Sequence, residues 1–476
     1  MTEVRAYEPV IGIEIHVQLR TRTKMFCSCE NRFGAEPNTL TCPVCLAHPG
    51  TLPVTNAEAV HLALMIGMAF GCEVPERSIF HRKNYFYPDS PKGYQISQYD
   101  HPLAVRGRLG DVRIHRVHME EDAAKLVHAG SSGRIHGAER SVVDFNRAGT
   151  PLVEIVTEPD LRSAAQAAEF GRLLQATLRR MGVSDVNMEE GSLRMDANVS
   201  IRPAGEATLG TKTELKNMNS FRFLERGITA EIERQEAILH ADGQIEQETL
   251  HFDPRSGSLT SLRSKEEAHD YRYFPEPDLV PIAPTPEMLE RARSALPELP
   301  AERAERFERD LGVPAAAARM LAFRAELGDL LEAALAADGA DARALANWVT
   351  NEVAARIGDS DPGDTRLEPA ALAALVGMVE AGDVPRSAAK DVLGVLVDEG
   401  GDPREIVASR GLGAAGSDEL AEIVDRAIAG NADAVEKIRA GNDKAIGAVV
   451  GAVMREAKGR ADGGEVQRMI RERIGS

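Results

Sequence analysis

Two stretches of this chain, VIGIEIHVQL (residues 10–19) and LRMDANVSI (193–201), alternate apolar and polar residues without a slip. A period of two belongs to the β-strand, whose successive side chains point to opposite faces. Ile11, Ile13, Ile15, Val17 and Leu19 therefore share one face, and Glu14, His16 and Gln18 the other. In the second stretch Leu193, Met195, Ala197, Val199 and Ile201 oppose Arg194, Asp196, Asn198 and Ser200. TKTELK (211–216) sets Lys212, Glu214 and Lys216 on one side. The pattern predicts an antiparallel sheet with one packed and one polar face.

Such a polar face is either simply solvated or a site. Its residues here are carboxylates, one histidine and basic side chains, the set that holds Mg²⁺ and phosphate oxygens. HMEEDAAK, read as a turn, adds Glu120, Glu121 and Asp122, and PLVEIVTEPD adds Glu154 and Glu158. RKNYFYPDSPKGYQISQY (82–99) gathers Tyr85, Tyr87, Tyr94 and Tyr99 with three basic residues, in a chain only 4% aromatic. These tyrosines either stack on bases or pack a loop onto the core.

Four of the five cysteines fall in CSCENRFGAEPNTLTCPVC (27–45). The start, MTEVRAYEPV, has neither the basic nor the apolar region of a secretory signal. The longest apolar run, AVHLALMIGMAFGC, falls short of the roughly 18–20 residues of a membrane span. A cytoplasmic protein is expected, with no membrane partner, in a compartment where structural disulfides are rare. Cys27, Cys29, Cys42 and Cys45 then suit a tetrahedral zinc ion, the alternative being buried, reduced thiols. A closed four-sulfur site leaves no open position for a substrate, so such a zinc would be structural.

The chain is expected to be α+β. Beyond FPEPDLVPIAPTPE it becomes alanine-rich with apolar residues at helical spacing, and a second break falls near VDEGGDPRE. The expected domains are 1–290, carrying the sheet and the cysteines, a helical domain over 291–402, and a helical tail over 403–476. The net charge of −18 argues against whole-surface binding of nucleic acid, yet residues 437–473 carry +4. GEATLGTKT reads as strand, and its lysine comes one place too late for a P-loop; no G-x-S-x-G elbow appears. If ATP is used, metal and sheet-borne side chains must hold its phosphates, with Arg194, Lys212 and Lys216 the candidates.

GIEIHVQL, the four-cysteine loop, RKNYFYPDSPKGYQISQ, HMEEDAAK, EEGSLRMDANVS, TKTELKNMNSF and DYRYFPEPDL occur in this order. Together they closely resemble the B subunits of bacterial glutamyl-tRNA(Gln)/aspartyl-tRNA(Asn) amidotransferases, from about residue 7 to the C-terminus. The resemblance implies a catalytic domain related to the glutamine synthetase and guanido kinase folds, then a helical domain and a small helical tail, where the +4 charge of residues 437–473 points to tRNA binding. It implies a heterotrimer with an amidase (A) and a small (C) subunit. The chain would use ATP and Mg²⁺ to phosphorylate the carboxylate of Glu or Asp mischarged on tRNA(Gln) or tRNA(Asn), and ammonia from the amidase would displace the phosphate. The implied catalytic and magnesium positions are Glu14, His16, Glu121, Asp196 and Glu214; the zinc clip is implied to be dispensable. Two other classes compete: a non-catalytic zinc-stabilised tRNA scaffold, and a free-standing small-molecule kinase. The metal-type array disfavours the first, and the basic tail and aromatic loop would have no role in the second.

Overall fold

The computed structural model describes residues 6–129, 139–261, 271–337, 340–358, 360–414, 416–440, 442–457 and 460–475. It separates into two compact units, Met1–Leu299 and Pro300–Ser476. Along the first run β1 (Tyr7–Gln18), α1 (Ala57–Ala69), β2 (His81–Asn84), β3 (Tyr94–Ser97), β4 (Ala104–Leu109), β5 (Val112–Glu121), β6 (Lys125–Ala129) and β7 (Arg140–Asp144). There follow β8 (Pro151–Thr157), α2 (Ala164–Met181), β9 (Leu193–Pro203), β10 (Thr213–Lys216), α3 (Phe221–His240), β11 (Thr249–Phe252), β12 (Leu259–Ser261), β13 (Phe274–Pro275) and α4 (Pro286–Ser294).

Eight strands form one sheet in the order β12-β11-β10-β9-β1-β8-β5-β4. The alternation in β1 and β9 does what the sequence predicts: Ile11, Ile13, Ile15, Val17, Leu193, Met195, Ala197 and Val199 are all buried in one core. That core also takes in apolar residues of α1, α2 and α3, which cover this face and leave the polar one to the site. Truncating one of its members, such as Ile13, to alanine would destabilise the fold by about 2–5 kcal/mol. Each covering helix begins at a side-chain cap, Asn56, Ser163 or Ser220, accepting from amides of the first turn. The long apolar run is α1, buried over Ala59–Gly67, and no described helix is long and apolar enough to cross a membrane.

Three local expectations need correction. The sheet is not wholly antiparallel, because β10 pairs with β11 in parallel. The 20-residue helix α3 joins them and returns the chain to the same end of the sheet. HMEED is not a turn: β5 runs on through Glu121, so Glu120 and Glu121 obey strand parity. GEATLGTKT is loop until Thr213, which leaves Lys212 exposed and ahead of β10.

Two smaller sheets flank the main one, β13-β2-β3 and the hairpin β6-β7. Arg82 on β2 makes two 2.7 Å hydrogen bonds to the buried Glu276, fixing the FPEPDL segment back onto β2. The base of the hairpin is tied to the cysteine loop through Asn38, which donates to Val143 O at 3.1 Å and accepts from Phe145 N at 2.8 Å.

The second unit is helical throughout its described residues, from Pro300–Leu311 to Gly463–Ile474. One of its cores gathers Phe307, Leu331, Trp348, Val349, Leu372 and Leu396, and a separate one Val424, Val449, Val453, Val466 and Ile470. The last core begins at Leu420, and helix Pro403–Arg410 sends Val407 into the earlier one. Residues 403–410 therefore pack with the preceding helices rather than with the tail.

Candidate active site

Cross-strand register brings distant residues together on the polar face. His16 on β1 stands opposite Arg194 on β9 and Glu154 on β8, and Glu154 stands opposite His118 on β5. His16 Nε2 lies 3.4 Å from Glu154 Oε2 and 3.8 Å from Glu120 Oε1. One ligand atom each from His16, Glu120 and Glu154 falls within a 4.8 Å group. Ligands about 2.0–2.1 Å from one ion stand at most about 4.2 Å apart, and the 3.4 and 3.8 Å separations from His16 lie within that reach, so this donor set fits a divalent cation. His118 backs the group: its Nε2 faces Glu154 Oε2 at 3.4 Å, and Arg116 Nε donates to its Nδ1 at 3.3 Å.

A second group lies one register step away. Glu14 is paired with Asp196, and Asn198 Nδ2 donates to Glu14 Oε1 at 2.9 Å. Lys216 Nζ sits 2.9 Å from Asp196 Oδ2 and 2.8 Å from Glu214 Oε1, so an ammonium already bridges two of the expected metal carboxylates. Arg194 reaches the other way, donating from Nη2 to Asp122 Oδ2 at 3.1 Å.

The charges on this face hold one another in place. Burial would raise Glu154, yet His118 and His16 keep it well below the usual carboxylate range. Burial likewise opposes the charge on His16, but its bond to Glu154 and the charges of Glu154 and Glu120 push the imidazole upward. Glu14 moves up, chiefly through loss of solvent and then because Glu154 and Glu214 repel its charge. Lys83 from β2 sits half-buried among Glu120, Glu154 and the Tyr271 and Tyr273 rings, and the carboxylates keep it charged against the loss of solvent.

A cavity of about 280 Å³ lies along this face. His16, Glu121, Arg194, Asp196 and Lys216 of the expected residues line it, whereas Glu14, Glu214 and Lys212 do not. Glu121 is placed differently from the expectation. It turns from the His16 group, accepts from Ile96 N at 3.0 Å and pairs with Lys92 at 2.5 Å. Parity explains this, because His118 and Glu120 share one face of β5 and Glu121 takes the other. Lys92 and Glu121 also line a smaller neighbouring cavity that reaches Cys27, Cys45 and His48.

The sequence pattern named Glu120 and Glu154 as acids but did not place them beside His16, and it missed His118 and Lys83. The alternation Val117, His118, Met119, Glu120 carried the signal for the β5 pair. The loop's tyrosines pack against neighbouring side chains. Tyr85 stacks on Tyr87 and Tyr99 on Tyr273, while Tyr94 receives Arg82 over its ring at 4.4 Å. Tyr99 and Phe86 remain exposed.

The four cysteines converge, each offering a sulfur within a single 4.8 Å group, and the Cys42 and Cys45 sulfurs are 3.9 Å apart. Sulfurs in a tetrahedral zinc site at about 2.3 Å from the metal stand about 3.8 Å from one another, so the donor set fits. Cys45 is held down to about 4 by the Cys27 thiol, the Cys42 amide and Lys24 acting against its burial, the state of a ready thiolate ligand.

Residues 9–290 match the family model described as "GatB/GatE catalytic domain", and 329–474 match "GatB domain". The chain is 48% identical to the B subunit of the aspartyl/glutamyl-tRNA(Asn/Gln) amidotransferase of Thermobifida fusca, over 99% of this chain and 95% of that one. It is 50% identical to the like-named protein of Frankia casuarinae (98% and 96% covered) and 45% to that of Persephonella marina (98% and 99%). The chain thus belongs to the family of B subunits of the aspartyl/glutamyl-tRNA(Asn/Gln) amidotransferases.

Proposed function

We propose that this chain is the ligase component that converts Glu-tRNA(Gln), Asp-tRNA(Asn) or both into Gln-tRNA(Gln) or Asn-tRNA(Asn), using ATP and ammonia delivered by a glutaminase partner. A free carboxylate is a poor acyl donor. Phosphorylating it creates a leaving group that ammonia can displace, and this transfer demands mainly positioning and charge neutralisation. The observation that carries the reading is the mixture on one sheet face. A carboxylate–histidine group with cation-ligand spacing adjoins Lys83, Arg194 and Lys216, cations suited to phosphate oxygens.

His16, Glu120 and Glu154 would hold one divalent ion, with Glu14, Asp196 and Glu214 available for another once Lys216 turns toward a phosphate. Magnesium, when bound, would draw charge from the transferring phosphoryl group. Arg194 and Lys216 would orient the phosphates, and Lys83 would offset the charge of the substrate carboxylate as it approaches the phosphoryl group. Glu121 and Lys92, standing where the two cavities adjoin, would flank the route by which ammonia arrives. The sheet with helices on one face and a polar active face is consistent with a relationship to the glutamine synthetase and guanido kinase folds. The four cysteines would bind a structural zinc ion.

The assembly would be a heterotrimer with an amidase and a small third protein. tRNA would be held in part by the tail, where Lys437, Arg439, Lys444, Arg455 and Arg471 have no ion-pair partner among the described residues. Such contacts to phosphate are salt-dependent.

The test follows phosphate release from ATP in the assembled enzyme with Glu-tRNA(Gln) present. Glu14→Ala and Asp196→Ala should abolish release while sparing tRNA binding and glutamine hydrolysis by the partner. Near wild-type phosphorylation and amidation in both would place the chemistry elsewhere.

A further inference from the structure

Lys24 is fully buried, although lysine is almost never so without a charge partner. Among the described residues no carboxylate lies within ion-pair distance of it. Its ammonium lies 3.3 Å from Phe145 O and 3.8 Å from Cys45 Sγ. The stem of its side chain runs beside Gly149, where a Cβ would sit 3.5 Å from Lys24 Cδ. A buried ammonium needs a compensating anion, and the cysteine cluster is the nearest source. Four thiolates around one zinc dication keep two negative charges, one of which an adjacent ammonium would offset.

We propose that Lys24 is the charge-compensating and hydrogen-bonding partner of the four-cysteine zinc site, a positioning residue that holds Cys45 and ties the site to the wall of the catalytic cavity. The proposal rests on the reading that these cysteines bind zinc. The tie runs through Phe145: Ala148 and Gly149, which follow it, line the catalytic cavity beside Cys45 itself. Arg147 fixes the same segment from the other side, donating to Ala123 O at 2.9 Å and Ala124 O at 2.8 Å. Asn38 and Asn146 join it to the cysteine loop, Asn146 Oδ1 accepting from Leu40 N at 2.8 Å. Zinc occupancy and the shape of the 145–149 segment are therefore linked by a short chain of named contacts.

Outer partners of metal ligands typically contribute about 10–100-fold in affinity. In the full-length chain, Lys24→Met should weaken zinc retention against a chromophoric chelator by about that factor. The cobalt-substituted protein should show its sulfur-to-cobalt charge-transfer band at lower energy, because the thiolate has lost a hydrogen-bond donor. Lys24→Gln, which keeps a donor without the charge, should fall between this variant and wild type. Identical zinc retention and cobalt spectra in all three would overturn the proposal. A second measurement needs no variant: amine-reactive labelling read by mass spectrometry should spare Lys24 in the zinc-loaded wild type and reach it after chelation. Protection that persists without metal would count against the tie. If wild type purified without chelator holds no zinc, the zinc reading itself fails and this proposal with it. If wild type holds zinc and Lys24→Met holds it equally well, only the role of Lys24 fails.

Discussion

The cysteine site and the carboxylate–histidine site are built on opposite plans. The first gathers its four cysteines from 19 consecutive residues, so spacing alone announces it. The second draws His16, Glu120 and Glu154 from three strands and depends on register to bring them within reach. A local loop can be lost, or lose its metal, with limited damage to the sheet. A site made by register is inseparable from the strands that carry it. Chemistry and stability should therefore respond differently to changes in the two.

The largest contrast is expected from Glu154→Gln in the assembled enzyme. Phosphate release should fall by about 10²–10³-fold, the scale for losing one preorganised charged group, with zinc content unchanged. Metal analysis and phosphate release on one preparation check both halves. Lys216→Met should slow the same step severely, whereas Lys212→Ala, in the exposed loop ahead of β10, should change it less than about threefold. Equal losses from the two lysines, measured as kcat for ATP cleavage, would erase the distinction between cavity and loop.

Cys42→Ser should do the reverse of Glu154→Gln. Zinc should be absent by elemental analysis and the melting temperature lowered, while phosphate release falls less than about tenfold. A catalytic loss as deep as that of Glu154→Gln would remove the separation between a structural and a chemical site. The smallest effect is expected from Phe86→Ala at the exposed rim. It should leave ATP cleavage untouched and alter only the affinity for mischarged tRNA, measured by binding at fixed salt.

How much of this was legible follows from the same contrast. The packed face of β1 and β9 could be read residue by residue, because strict alternation leaves one choice of face once a core exists. The cysteine cluster needed only spacing. Glu120 and Glu154 were visible as acids, but reading HMEED as a turn discarded the parity that separates Glu120 from Glu121. The partnership of His16 with Glu154 required knowing that β8 lies beside β1, and no local pattern states strand order. Lys83 and Lys24 were harder still. Each is a lysine whose importance comes from loss of solvent beside groups distant in sequence, which composition hides. The parallel entry of β11 followed from the length of α3 and was lost in a short, weakly patterned strand.

The central claim is that the polar sheet face holds a divalent ion through His16, Glu120 and Glu154. Mn²⁺ titration of the full-length chain, followed by electron paramagnetic resonance, tests it most directly. Wild type should take up Mn²⁺ in competition with Mg²⁺, and Glu154→Gln should weaken that uptake at least tenfold, no less than the loss of about 10–100-fold typical of a ligand's outer partner. Mn²⁺ binding that is equally tight in both proteins would contradict the account and leave this face merely solvated.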